Sequence, residues 1–142
     1  MSEAELHNML GIYYIQLEDF PASYRELTLS LKQYRSIEDP YYRYYHTAPL
    51  INLGKWYFLQ QDYENARRYY NECLELSKEI RRTDTSAGVL LRLAEVAAAE
   101  GKLDEALQLA TESERTAGTE IALIREQAAS FKEEILQQNQ GS

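Results

Sequence analysis

Scarcity defines this sequence before any motif does. A single cysteine in 142 residues cannot form an internal disulfide and points to a reducing, cytoplasmic setting. Three prolines and six glycines leave few obligatory chain breaks. Valine occurs twice against nineteen leucines. Strands favour β-branched residues, whereas Leu, Ala, Glu, Lys, Gln and Arg favour helix. That balance excludes a sandwich, a barrel and a parallel sheet. No apolar run exceeds a few residues, so no membrane span is expected, and no basic-then-apolar signal opens the chain. Asp and Glu outnumber Lys and Arg by 23 to 15, a net charge of −8, which argues against a general nucleic-acid binder. What remains is an all-α chain of a length that fits one domain with a real core.

Internal similarity organises that chain. Leu10-Gly11-Ile12-Tyr13-Tyr14 is echoed by Leu53-Gly54-Lys55-Trp56-Tyr57 and, in degraded form, by Leu93-Ala94-Glu95-Val96-Ala97. Twelve residues after Gly11, Gly54 and Ala94 stand the small residues Ser23, Ala66 and Ala106. A turn signal separates each pair: Glu18-Asp19-Phe20, Gln61-Asp62-Tyr63 and Gly101-Lys102-Leu103. The internal offset stays at twelve while the period is 43 and then 40. Rigid two-helix units joined by elastic connections account for both. Small residues on facing helices let the backbones approach, and Tyr57, Tyr70 and Leu74 fill the space around the Gly54–Ala66 contact. One such pair cannot bury both its faces, so stacked neighbours complete the core.

These units resemble the tetratricopeptide repeat, whose pattern is an aromatic, Leu-Gly, Tyr, Ala, an aromatic and a closing Pro. The second unit matches at Leu53, Gly54, Tyr57, Ala66 and Tyr70. The first matches at Leu10, Gly11 and Tyr14, with Ser23 and Leu27 as substitutes. The third matches at Leu93 and Ala106, with Ala94, Ala97 and Ala110 as smaller stand-ins. His7, Leu50 and Leu90 replace the opening aromatic; Arg35, Lys78 and Gly118 replace the Pro. Without that Pro the second helices run on, which lengthens the period beyond the usual ~34 residues. The resemblance implies a right-handed superhelix of three helix pairs, at about 3–37, 40–82 and 84–117, closed by a capping helix at about 119–138. Residues 1–138 then form one domain, and 139–142 a frayed tail.

Capping signals set the phase. Ser2 to Glu5 fits a capping box. Asp39-Pro40 places a cap and an N1 proline before the third helix, Asp62 precedes the fourth, and Thr83 or Asp84 the fifth. Gly118-Thr119 separates the sixth from the seventh. In that last helix Ile121, Ile124, Ala128, Phe131 and Ile135 recur at three- and four-residue steps, an apolar stripe expected to lie on Leu107 and Ala110. Exchange of this helix with a second chain would instead give a homodimer.

Catalytic constellations are missing. Cys73 stands seven residues after Ala66 at a small-residue position and reads as a buried structural thiol. Neither His7 nor His46 falls where it would face Cys73. There is no phosphate-cradling glycine loop, His-Glu-x-x-His or Cys-x-x-Cys, and no cofactor is expected. Arg67, Arg68, Glu75 and Glu79 read as solvated helix faces. The sequence therefore predicts a non-catalytic module.

Nine of the twelve tyrosines lie between Tyr34 and Tyr70. Tyr41-Tyr42-Arg43-Tyr44-Tyr45 is expected to open the third helix. Five successive residues turn through more than a full helical turn, so some rings pack between the first two units and others meet solvent or a partner. The resemblance further implies that the first helix of each pair lines a concave groove. That face carries Asn8 and Ile12, then Ala48, Asn52, Lys55 and Leu59, then Gly88, Arg92 and Glu95. Asn52 and Arg92 match two of the five clamp positions of the family's chaperone-binding members; Asn8, Ile12 and Gly88 replace Lys, Asn and Lys. The implied peptide-binding residues are Asn8, Asn52, Lys55, Arg92, Tyr41 and Tyr45. The implied partner is a protein segment with an acidic group and an apolar anchor, bound by a regulatory or adaptor module. A small stand-alone chaperone of a secretion or assembly system is the alternative. Nucleic acid and membrane are not expected partners.

Overall fold

The computed structural model describes residues 1–140. Among them are seven α-helices and no strand: α1 (Glu3–Gln16), α2 (Phe20–Arg35), α3 (Thr47–Leu59), α4 (Tyr63–Glu79), α5 (Thr83–Ala99), α6 (Leu103–Ala117) and α7 (Ala122–Gln140). A 3-10 helix, Pro40–His46, precedes α3. The helices group into two compact units, Met1–Leu76 and Ser77–Ser142, with the boundary inside α4.

In the first unit, side-chain bonds to backbone reveal the direction of pairing. Ser23 Oγ donates to the Gly11 carbonyl and Ser30 Oγ to the Ala4 carbonyl, both at 2.7 Å. Advancing along α2 retreats along α1, so the pair is antiparallel. The pair α3/α4 repeats the register: Tyr70 lies over Gly54, and Cys73 Sγ approaches the Thr47 carbonyl at 3.7 Å. A β-carbon at Gly54 would stand 2.5 Å from the Tyr70 ring, so only glycine permits this approach. Leu27, Leu50, Leu53, Tyr70 and Cys73 form the buried centre.

The second unit keeps the register. Ser113 Oγ donates to the Ala87 carbonyl at 2.7 Å, so α5 and α6 are also antiparallel, with Ala97 and Ala106 buried together at the turn end. The seventh helix packs on α6 and touches α5. Ile135 is buried in the Ala97–Ala106 cluster, with Phe131 and Leu107 against it. Ala128 is fully buried. Ile121 and Ile124 are half-buried. The expected apolar stripe is therefore the packed face of this helix.

The turn inside each pair is the same device three times. Glu18, Gln61 and Gly101 adopt φ of 59°, 62° and 80°. In each, the residue's N–H reaches back three positions and the next N–H five, as in Asp19 to Tyr14, Asp62 to Tyr57 and Lys102 to Ala97. This is the Schellman closure. Arg81, at φ 59°, closes α4 in the same way.

Several expected helix starts shift. The Ser2–Glu5 capping box forms with both bonds, and Asp62 accepts from the Asn65 N–H at 3.3 Å. Asp39 also caps, accepting from Tyr41, but the segment it opens is the 3-10 helix rather than α3. Pro49 supplies the reason. It has no N–H, so an α-helix running through from Pro40 would lack a bond there; as the third residue of α3 it sits where no such bond is needed. Neither Thr83 nor Asp84 caps α5. The cap is Arg82, without a side-chain bond, because Arg81 closes α4 so tightly that helix resumes at once. The closing helix begins at Ala122 rather than Thr119 and includes Asn139 and Gln140, half of the expected tail. Gly141 and Ser142 lie outside the described residues.

Candidate peptide-binding site

In the first unit Asn8 of α1 and Asn52 of α3 meet. Asn52 Nδ2 donates to Asn8 Oδ1 at 2.9 Å. An amide offers two donor hydrogens and an acceptor oxygen with two lone pairs. Their mutual bond uses one donor and one lone pair, so donors and acceptors remain for a peptide backbone.

Asn8 also borders an open cleft of about 410 Å³ beside Met9, Tyr34, Tyr44, Tyr45 and Ala48. That volume lies in the range of ligand sites. The Tyr45 ring stacks on Tyr34 at 6.1 Å and 13° and leans on Tyr44 at 5.5 Å. His46 anchors the 3-10 helix to α2 by donating from Nε2 to the Tyr34 carbonyl at 2.9 Å. Burial lowers the His46 pKa from its ordinary value, partly opposed by that bond. Burial likewise raises the Tyr34 hydroxyl, so the phenol stays neutral. The cleft walls are thus aromatic and uncharged, with one carboxylate, Glu5, at the rim.

The other expected residues are placed differently. Tyr41 is 74% exposed and sits edge-on to Tyr42 at 5.3 Å, away from the cleft lining. Lys55 is exposed on α3 and is not part of the lining either. Arg92, on α5 of the second unit, borders a separate cleft of about 410 Å³ with Phe131 and the carboxylates Glu95, Glu126 and Glu134. Its guanidinium pairs with Glu95. The carboxylate that Arg92 was expected to take from a peptide is already supplied by this chain.

Two arrangements escape a reading of the motif alone. One is an aromatic ladder: Tyr24 to Trp56 at 4.8 Å, Trp56 to Tyr57 at 5.0 Å, Tyr57 stacked on Tyr69 at 5.4 Å, and Arg68 over Tyr69 at 5.2 Å. Trp56 Nε1 donates to the Phe20 carbonyl at 2.9 Å, and the Tyr57 hydroxyl donates to that of Tyr24 at 3.2 Å. Burial and this bond push the Tyr57 pKa well above the usual phenol range. The other is the equivalence of Ser30, Cys73 and Ser113, each bonded to a carbonyl 26 residues earlier. Their spacing of 43 and 40, seven residues beyond Ser23, Ala66 and Ala106, is the signal that could have found them. Cys73 is fully buried, and burial pushes its thiol up to about 12. At neutral pH it stays a thiol rather than a thiolate. His7 is engaged by Glu26. No described helix is long and apolar enough to cross a membrane.

A search of curated proteins finds no match. Among solved structures, the apo form of RapI superposes with a TM-score of 0.88 at 15% identity, over 98% of this chain and 50% of that one. The present chain thus spans half the length of that relative, and the likeness is one of fold. The sequence pattern described as "Tetratricopeptide repeat" matches residues 2–79 and 45–117. Those two matches span all three helix pairs: the chain belongs to the tetratricopeptide repeat family.

Proposed function

We propose that this chain is a non-catalytic protein-interaction module that holds a peptide segment in the cleft of its first unit. The carrying observation is that Asn8 belongs to both halves of the site, bonded to Asn52 on one side and bordering the tyrosine-walled cleft on the other. A bound segment would place an apolar side chain against Met9, Tyr44 and Tyr45. Its backbone would bond to the Asn8 and Asn52 amides. Lys55, one turn from Asn52 on α3, and Tyr41 at the exposed end of the 3-10 helix are positioned for the flanking residues. Arg92 and its cleft form a second, more acidic surface suited to a basic segment. Membership of a family of protein-interaction scaffolds supports this reading. The net charge of −8 disfavours nucleic acid, and the reduced, buried thiol suits the cytoplasm.

The test starts from a random peptide library selected on the immobilised protein. The best peptide is then titrated by calorimetry against Asn52→Ala, Tyr45→Ala and the exposed control Arg68→Ala. Truncating a true hot spot costs about 2 kcal/mol or more, roughly thirtyfold in Kd. Tyr45→Ala and Asn52→Ala should weaken binding to that degree, with Arg68→Ala unchanged. Wild-type affinity in both cleft variants would rule the cleft out.

A further inference from the structure

The first helix is apolar on two opposite faces. Ala4, Gly11 and Ile15 are buried. Leu6, Met9, Tyr13 and Leu17 are between 46% and 57% exposed, and their steps of three, four and four align them in one stripe. At 100° per residue that stripe lies about half a turn from the buried set. The last helix offers a contrast. Exposed positions of α7 include Glu126, Gln127, Ser130, Glu133, Glu134 and Gln137. The exposed leucines of α7, Leu123 and Leu136, stand far apart in sequence among these polar groups, whereas α1 lines up four large apolar residues in one continuous stripe.

The charge around the stripe says what would cover it. Residues 1–24 contain Glu3, Glu5, Glu18 and Asp19 and no Lys or Arg. On the helix, Glu3 and Glu5 flank the stripe at its first turn, one on each side, and Glu18 stands exposed at its far end. Facing groups on α2 do not reverse this sign. Glu26 engages His7 and is reached by Arg25 at 3.8 Å, while Gln33 bonds to Glu3 at 3.4 Å.

We propose that the Leu6–Met9–Tyr13–Leu17 stripe is a docking surface for an amphipathic helix of a partner protein, one with apolar residues at three- and four-residue steps and Lys or Arg at its flanks. A second copy of this chain fits worse. Each carries a net charge of −8, and pairing two such helices in either direction sets carboxylates against carboxylates. The stripe adjoins the cleft proposed above and shares Met9 with it, but neither Leu6 nor Tyr13 lines that cleft, so the two positions substituted below report on the stripe alone.

The probe is a fluorescent helical peptide of about 15 residues, four turns, with leucines at those steps and lysines at both ends. A matched peptide carries glutamates in place of the lysines. Anisotropy titrations use the full chain, at low and high salt, with wild type and with a Leu6→Asn, Tyr13→Asn double variant. Both substituted side chains are exposed, so circular dichroism should be unchanged. The lysine peptide should bind at least tenfold tighter than the glutamate peptide, with an advantage that shrinks as salt screens the charges. The double variant should lose at least tenfold. Equal binding of the two peptides, undiminished binding by the double variant, or no binding of the lysine peptide would overturn the proposal. So would sedimentation showing a wild-type dimer that the double variant dissolves, which would make a second copy the occupant.

Discussion

Gly101 isolates a backbone effect with unusual cleanness. A β-carbon built on it meets no atom within 4 Å, yet its φ of 80° is one that L side chains rarely adopt. Gly101→Ala should therefore cost about 1 kcal/mol, all of it conformational. At the equivalent turn of the second pair, Gln61→Gly relieves the same strain, and the greater freedom of unfolded glycine reduces the gain to a few tenths of a kcal/mol. Gly54 is the opposite case, with ordinary helical backbone and no space. Gly54→Ala drives a methyl into Tyr70 and should cost about 1–3 kcal/mol. Urea titrations measure all three. Acid sensitivity at this scale belongs to His46. Its folded pKa lies below the unfolded value, so the unfolded chain takes the proton first. Stability is then full above about pH 6.5 and falls as pH drops from there towards the folded pKa. His46→Gln keeps a donor for the Tyr34 carbonyl and removes the titration, so its stability should decline less between pH 6.5 and 5.

Elements differ in how much of them a pattern can carry. The helix pairs were legible because Gly11, Gly54 and Ala94 recur with their partners at a fixed offset, and a helix–helix contact constrains both sides at once. The 3-10 helix was not. Its tyrosines have no helical period, and the decisive residue, Pro49, acts through the hydrogen bond it cannot make rather than through packing. The candidate site was legible to the same extent. Asn8 and Asn52 occupy repeat-phased positions on α1 and α3 and do meet. Tyr41 misses the cleft because the 3-10 segment, rather than α-helix, sets its direction. Arg92 lines a cleft to which α7, outside the repeat pattern, brings Glu126 and Glu134. That helix can be tested through its own core contacts. Ile135 is buried and Phe131 only partly so. Ile135→Ala should cost about 2–5 kcal/mol, and Phe131→Ala should fall short of the usual Phe→Ala range of about 3–5 kcal/mol. Equal, negligible losses in urea would mean that α7 is not packed on α6 in solution.

Across the whole molecule the two units differ sharply in composition. All twelve tyrosines and the single tryptophan precede Leu76, and the chain from Ser77 onward has Phe131 as its only aromatic. The first unit thus adds aromatic rings to its leucine centre, whereas the second is packed by aliphatic side chains such as Val89, Leu90, Val96, Ala97 and Ala106. The aromatic ladder has an optical consequence. Trp56 lies within about 5 Å of Tyr24 and Tyr57, so light absorbed by those tyrosines should reach the indole and emerge as tryptophan emission. Unfolding the first unit separates Tyr24 from the indole and lowers that transfer, with Tyr57 remaining its chain neighbour, whereas unfolding the second should leave it unchanged. The protein thus carries a spectroscopic label on one half of its length. Following emission and far-ultraviolet dichroism in the same denaturant series tells whether the halves melt together. Coincident curves mean a single cooperative transition; a dichroism change while the emission holds means that the alanine-rich half lets go first.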